Sequence, residues 1–208
     1  MPENFSLRTV HRYSAIVIIV FVALHLLNHL VGLAGQQQHI DFMAAIRPIY
    51  RNAVAEPLLL VCLILQMATG LRIVIKGWRS RHGAIAWTQA LSGLYLIFFL
   101  LNHVLAVLAG RHILNLDTDF RFAAAGIHAP PFEWFFIPYY FLAVAALFTH
   151  LGCAAYWSLH SKNAAAGSIA FAVLIVSGII FGGAIVAGLS GVLFDVEIPA
   201  EYLATYKF

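Results

Sequence analysis

The sequence predicts an all-α integral membrane protein with five transmembrane helices, the first four forming a bundle. Composition carries the first part of that prediction. Hydrophobic residues make up 62% of the 208-residue chain and charged residues only 10%, whereas a soluble domain needs about 25% charged residues to cover its surface. Twelve Lys and Arg and nine Asp and Glu cannot build a water-exposed shell around a chain of this size, so most of its surface must face lipid. Five apolar stretches, each long enough to cross about 30 Å of hydrocarbon at 1.5 Å per residue, carry the second part.

The first span, about 13–34, follows a charged N-terminal flank. Its apolar run exceeds 20 residues and shows no clear small-residue cleavage site, so it is expected to be retained as a helix. The segment 35–54 is polar, with Gln36-Gln37-Gln38, and is long enough for a short surface helix. The second span covers about 55–76. A tight basic loop, Gly77-Trp78-Arg79-Ser80-Arg81-His82-Gly83, leads to the third span, about 85–109. The longest loop, 110–132, ends in Pro130-Pro131, which should start the fourth span, about 133–158, sharply. A short connection, 161–167, leads to the fifth span, about 166–194. No separate soluble domain is expected.

Charge sets an expected orientation. Arg8, Arg12, Arg72, Lys76, Arg79, Arg81 and Lys162 fall on one side of the membrane, with Glu3 as their only acidic companion. Arg47, Arg51, Arg111, Arg121, Lys207 and the other eight acidic residues fall on the opposite side. The positive-inside rule then places the N-terminus in the cytoplasm and the C-terminus outside, as in a bacterial inner membrane.

Several classes fall away on the same numbers. A net charge of +3 and a pI near 9.0, without a dense basic patch, do not mark a nucleic-acid binder. Cys62 and Cys153 lie inside apolar runs, which argues against a disulfide framework. No nucleophile–base arrangement, phosphate loop or dinucleotide fingerprint is present.

Two internal patterns stand out. A shift of 78 residues aligns the third span with the first: Ser14 with Ser92, Ala15 with Gly93, Phe21 with Phe99, His25 with His103 and Gly32 with Gly110. A duplicated helix pair would account for it. In the fifth span, Gly178-x-x-x-Gly182, Gly183 and Gly188 form a small-residue face suited to close helix packing.

Histidine is the anomaly, with ten residues in a chain that otherwise avoids polarity. His39, His82, His112, His128 and His160 fall in loops or at helix ends, where solvent or head groups are the expected surroundings. His11 lies at the inner mouth of the first span. His25, His29, His103 and His150 sit within apolar helices, where an ionisable group is costly unless paired or bound. His25 lies about 20 Å along the helix from Arg12, and His103 roughly 24 Å from Trp87, so both reach the outer half of the bilayer. His150 lies about 15 Å from His160, in the inner half. Two helices that each bring one imidazole to the same depth have the geometry of a bis-histidine haem site, and an apolar four-helix pocket suits a porphyrin. Zinc or di-iron would need more ligands, and no intramembrane carboxylate accompanies these histidines. The competing reading is structural, with each imidazole bonded to a hydroxyl or carbonyl of a neighbouring helix. The 11-residue spacing from Ser14 to His25 and from Ser92 to His103 favours His25 as the first-helix ligand. Depth and the shared Asn28-His29 and Asn102-His103 pairs favour His29 instead.

Ser92-Gly93-Leu94-Tyr95-Leu96-Ile97-Phe98-Phe99-Leu100-Leu101-Asn102-His103, matched more loosely by Ser14 to His25, resembles the single-chain, five-helix cytochrome b anchors of the succinate dehydrogenase and fumarate reductase family. The resemblance covers about residues 10–160. It implies an outer haem b between helices one and three, held by His25 and His103, with His29 and His150 as alternative or second-haem ligands. For the family's inner haem, the fourth helix offers His150-Leu151-Gly152. The second offers Gln66-Met67-Ala68-Thr69-Gly70-Leu71-Arg72, in which Gln66 stands at the position of the family's ligand histidine. Glutamine is a poor haem ligand, so the inner haem would be five-coordinate, ligated elsewhere or absent, leaving one haem or two. The resemblance further implies flavoprotein and iron–sulfur partners on the cytoplasmic face, with electrons relayed to or from a membrane quinone. Quinone-contact candidates are His11, Arg12 and Ser14 on the inner face, with Glu56 and Glu133 on the outer. Arg72, Lys76, Arg79 and Arg81 are expected to meet anionic lipid, a partner or a haem propionate. A haem-free structural or assembly subunit and a small transporter are the alternatives; the transporter would be expected to show broken helices or an intramembrane carboxylate.

Overall fold

The structure, a computed structural model, describes residues 6–207. Eight α-helices account for most of it, and no strand occurs among the described residues. They are α1 (Leu7–Val31), α2 (Gln36–Tyr50), α3 (Ala55–Gly77), α4 (Ala84–His112), α5 (Phe120–Ala125), α6 (Glu133–His160), α7 (Ala164–Leu189) and α8 (Ala200–Leu203). Helices α1, α3, α4, α6 and α7 are long and apolar enough to cross a membrane.

Two boundaries differ from the sequence expectation. Helix α1 starts at Leu7 instead of about residue 13, because the Ser6 hydroxyl accepts a hydrogen bond from the Thr9 amide at 3.2 Å and caps the first turn. Helix α7 stops at Leu189 instead of near 194. Gly191, at φ +80°, turns the chain back there, and the Gln36 side chain grips the returning segment through the Glu197 backbone, donating to its carbonyl and accepting from its amide, each at 3.1 Å.

Helix α1 packs along α3, and α4 along α6, giving two antiparallel pairs. The pairs meet lightly through α3 and α4, while α7 lies along α6 and reaches α1. Neither α4 nor α6 packs extensively on α1. The α6–α7 seam is tight because of two glycines. A Cβ on Gly178 would lie 2.6 Å from Phe148 Cβ, and one on Gly182 would lie 3.0 Å from the Phe141 carbonyl oxygen. Side chains on the outside of the spans, such as Val20, Ile64, Leu105 and Ile180, are exposed and apolar, as contact with lipid requires.

The connection from α4 to α6, expected as a loop, is the best-packed part of the molecule. It carries α5, and Phe120 and Ala124 are buried together with Ile127, Val144, Ile185 and Leu189. Asp119 caps α5 by accepting from the Arg121 amide at 2.8 Å. This plug, with α2 and α8, closes the end of the bundle away from the start of α1 and sits above the interior histidines.

Candidate histidine site

The 78-residue repeat is visible in three dimensions. On α1, Phe21 stacks on His25, with ring centroids 5.7 Å apart and planes at 21°. On α4, Phe99 stacks on His103, with centroids 5.1 Å apart and planes at 13°. One helical turn separates each phenyl from its imidazole, so both rings lie on the same face. The two backed imidazoles meet between the helix pairs, with centroids 6.0 Å apart and planes at 61°.

Metal–imidazole bonds are about 2 Å long and a ring nitrogen lies about 1 Å from its ring centre, so two imidazoles on one iron have centres roughly 6 Å apart. The observed separation fits that requirement. Among the described residues, the imidazoles of His25, His29 and His103 form no hydrogen bond, whereas those of His11, His39, His128, His150 and His160 do. All three are half-buried within the bundle. For these three side chains the hydroxyl- or carbonyl-bonded reading therefore finds no partner. Of the two first-helix candidates, His25 faces His103, while His29 turns away towards α2.

Beyond the pair the imidazoles continue outward. His29 lies 4.9 Å from His25 and 5.0 Å from His39, centroid to centroid. His39, expected at the surface, is only 3% exposed. Helix α2 folds back over the end of α1, and Gly32 leaves room for the ring: a Cβ there would lie 3.0 Å from His39 Cδ2. Asn28 Nδ2 donates to His39 Nε2 at 3.0 Å, while Asn28 Oδ1 is buried without a partner. Burial, with a smaller contribution from the charge of His25, holds the His39 imidazole down to about 4, so it is neutral at pH 7. Sequence reasoning missed His39 and Asn28. The available signal was His39 and Met43, four residues apart on one face of α2 and both buried.

The layer nearer the start of α1 is built differently. Ser14 Oγ donates to Gln66 Oε1 at 2.6 Å, and Gln66 Nε2 donates to His11 Nε2 at 3.0 Å. His11 Nδ1 then donates to Thr69 Oγ1 at 3.1 Å. Both nitrogens of His11 are thus engaged within the α1–α3 pair. In the α4–α6 pair, His150 Nδ1 donates to the Gln89 carbonyl at 3.0 Å and lies 3.3 Å from Ser92 Oγ, leaving Nε2 free. Gln66 therefore occupies beside Ser14 the place that His150 occupies beside Ser92. Gly70 and Gly93 make room for the two rings, since a Cβ on either would lie 3.1 Å from Cε1 of His11 or His150 respectively.

The remaining candidates are dispersed. Arg12, Arg72, Lys76 and Arg79 are exposed at the end where α1 starts, and Arg81 lies over Trp87, 5.4 Å from the ring centroid. At the opposite end Glu56 is paired with Arg111 through both carboxylate oxygens. Glu133, in the first turn of α6, keeps Oε2 buried without a partner. Among the described residues, no group of three or more His, Cys, Asp or Glu is arranged to hold a bare metal ion. Compared with known protein families, curated proteins and solved structures, the chain matches none of them.

Proposed function

We propose that this chain is a b-type haem membrane anchor that relays electrons between a partner dehydrogenase or reductase and a membrane quinone. One observation carries the reading. His25 and His103 face each other across the two helix pairs at 6.0 Å between ring centroids, with no protein hydrogen bond on either ring. Bound there, haem would supply a one-electron carrier whose potential the protein sets through its axial ligands, burial and local polarity.

The chain's own residues define that environment. Phe21 and Phe99 hold the two imidazole planes by stacking, and α7 and the α5 plug shield the outer end from water. Gln66 in place of a ligand, already hydrogen-bonded to His11 and Ser14, favours one haem in the outer layer over two. The inner cluster of His11, Ser14, Gln66 and Thr69 offers hydrogen-bonding groups near the membrane surface, with Arg12 beside it, and suits a quinone head group. The exposed cations Arg72, Lys76 and Arg79 on the same side suit an iron–sulfur or flavoprotein partner. The distribution of Lys and Arg supports a cytoplasmic N-terminus in a bacterial inner membrane.

A reduced-minus-oxidised absorption spectrum of the purified protein, with haem extraction, tests the reading. A b-type α-band is expected in the wild type, lost in both His25→Ala and His103→Ala and retained in His29→Ala. Absence of haem from the wild type sinks the proposal. Loss in His29→Ala with retention in His25→Ala would move the first-helix ligand by one turn.

A further inference from the structure

At the outer membrane surface the end of α4 and the start of α3 enclose an open cleft of about 410 Å³. Leu60 and Leu108 form apolar walls, and Arg51, Arg111, His112 and Glu56 surround the mouth. Both terminal nitrogens of Arg111 donate to the Glu56 carboxylate, which neutralises it, while Arg111 Nε is buried without a partner. The guanidinium of Arg51, the C-cap of α2, forms no hydrogen bond or ion pair among the described residues. Arg51 and His112 both lie within electrostatic reach of Glu56. One carboxylate therefore faces two guanidinium groups and an imidazole, and the cleft is net positive at head-group depth with hydrocarbon-like walls beneath.

We propose that this cleft binds the phosphodiester head group of an anionic phospholipid. The phosphate would sit against Arg51 and His112, and the acyl chains would run down Leu60 and Leu108. Guanidinium groups donate charge-assisted hydrogen bonds to phosphate oxygens, and basic pockets between membrane helices suit such head groups. The assignment does not depend on haem.

Native mass spectrometry of the full chain, extracted from vesicles of equimolar phosphatidylglycerol and phosphatidylcholine, is the test. One phosphatidylglycerol retained per chain is expected, with retention falling about tenfold in Arg51→Ala, the loss of one charge-assisted contact, and also falling in His112→Gln. Lys162→Ala, which removes an exposed cation in the α6–α7 connection at the opposite membrane surface, should leave retention unchanged. Equal retention of phosphatidylcholine, or full retention in Arg51→Ala, would overturn the proposal. Displacement of the lipid by inorganic phosphate would also overturn it, by showing that the walls contribute nothing and the site takes free phosphate.

Discussion

At the scale of single residues, the chemistry lies in which imidazoles have partners. His150 donates Nδ1–H to the Gln89 carbonyl and His11 is bonded through both nitrogens, whereas His25 and His103 are held by stacked phenyl rings. Replacing Phe99 by Leu should leave haem bound but change the orientation of His103. The expected readout is a shift in the low-spin electron paramagnetic resonance signal at unchanged haem content; an identical signal would mean the phenyl does not orient the ring. His39 makes a separate prediction. Its pKa in the fold is lowered from 6.5 to about 4 by burial, so it stabilises the fold fully above pH 6.5. That stability is lost as pH falls through the interval from 6.5 to about 4, by up to ~3 kcal/mol at 1.36 kcal/mol per unit. The protection factors of the α2 amides, taken relative to the intrinsic exchange rate at each pH, should fall over that interval in the wild type and not in His39→Gln; parallel pH profiles would rule out His39 as the cause. His25 and His103 were legible in the sequence because an ionisable residue in an apolar span is costly wherever it sits. His39 was not, because its burial depends on α2 folding back over Gly32, a contact between segments.

At the scale of elements, the glycine face of α7 was legible as a packing surface, but its members are not equivalent. Gly178 and Gly182 meet α6 closely, a Cβ on Gly188 would lie 3.2 Å from Leu33 Cδ2, and a Cβ on Gly183 would meet nothing within 4 Å. Gly178→Val should therefore destabilise the α6–α7 seam by about 1–3 kcal/mol through overpacking, and Gly183→Val should be near neutral. Thermal unfolding in detergent measures both, and equal losses would mean that the seam is not the cause. The five spans were legible, with only the start of α1 and the end of α7 off by more than a few residues, because desolvated backbone must be helical across the bilayer. The short helix α5 was not, because its six residues gain stability from Phe120 and Ala124 in the core and not from any periodicity of their own.

At the scale of the whole molecule, two antiparallel helix pairs meet only lightly, and a ligand held by one histidine from each pair should link them. Haem bound by His25 on one pair and His103 on the other would stabilise the native state by about 2.7 kcal/mol at a hundredfold excess over its Kd. The melting temperature should rise with added haem in the wild type and stay flat in His25→Ala and His103→Ala. An equal rise in all three would point to non-specific haem uptake. The amino-acid sequence by itself determined the membrane class, the five spans and the paired histidines of the repeat, because hydropathy and the cost of buried charge act residue by residue. Only the tertiary structure decided that His25 and not His29 faces His103, that Gln66 is committed to His11, and that the α4–α6 connection is a buried plug. Those outcomes depend on which helix faces meet, and that is set by packing between segments far apart in the chain.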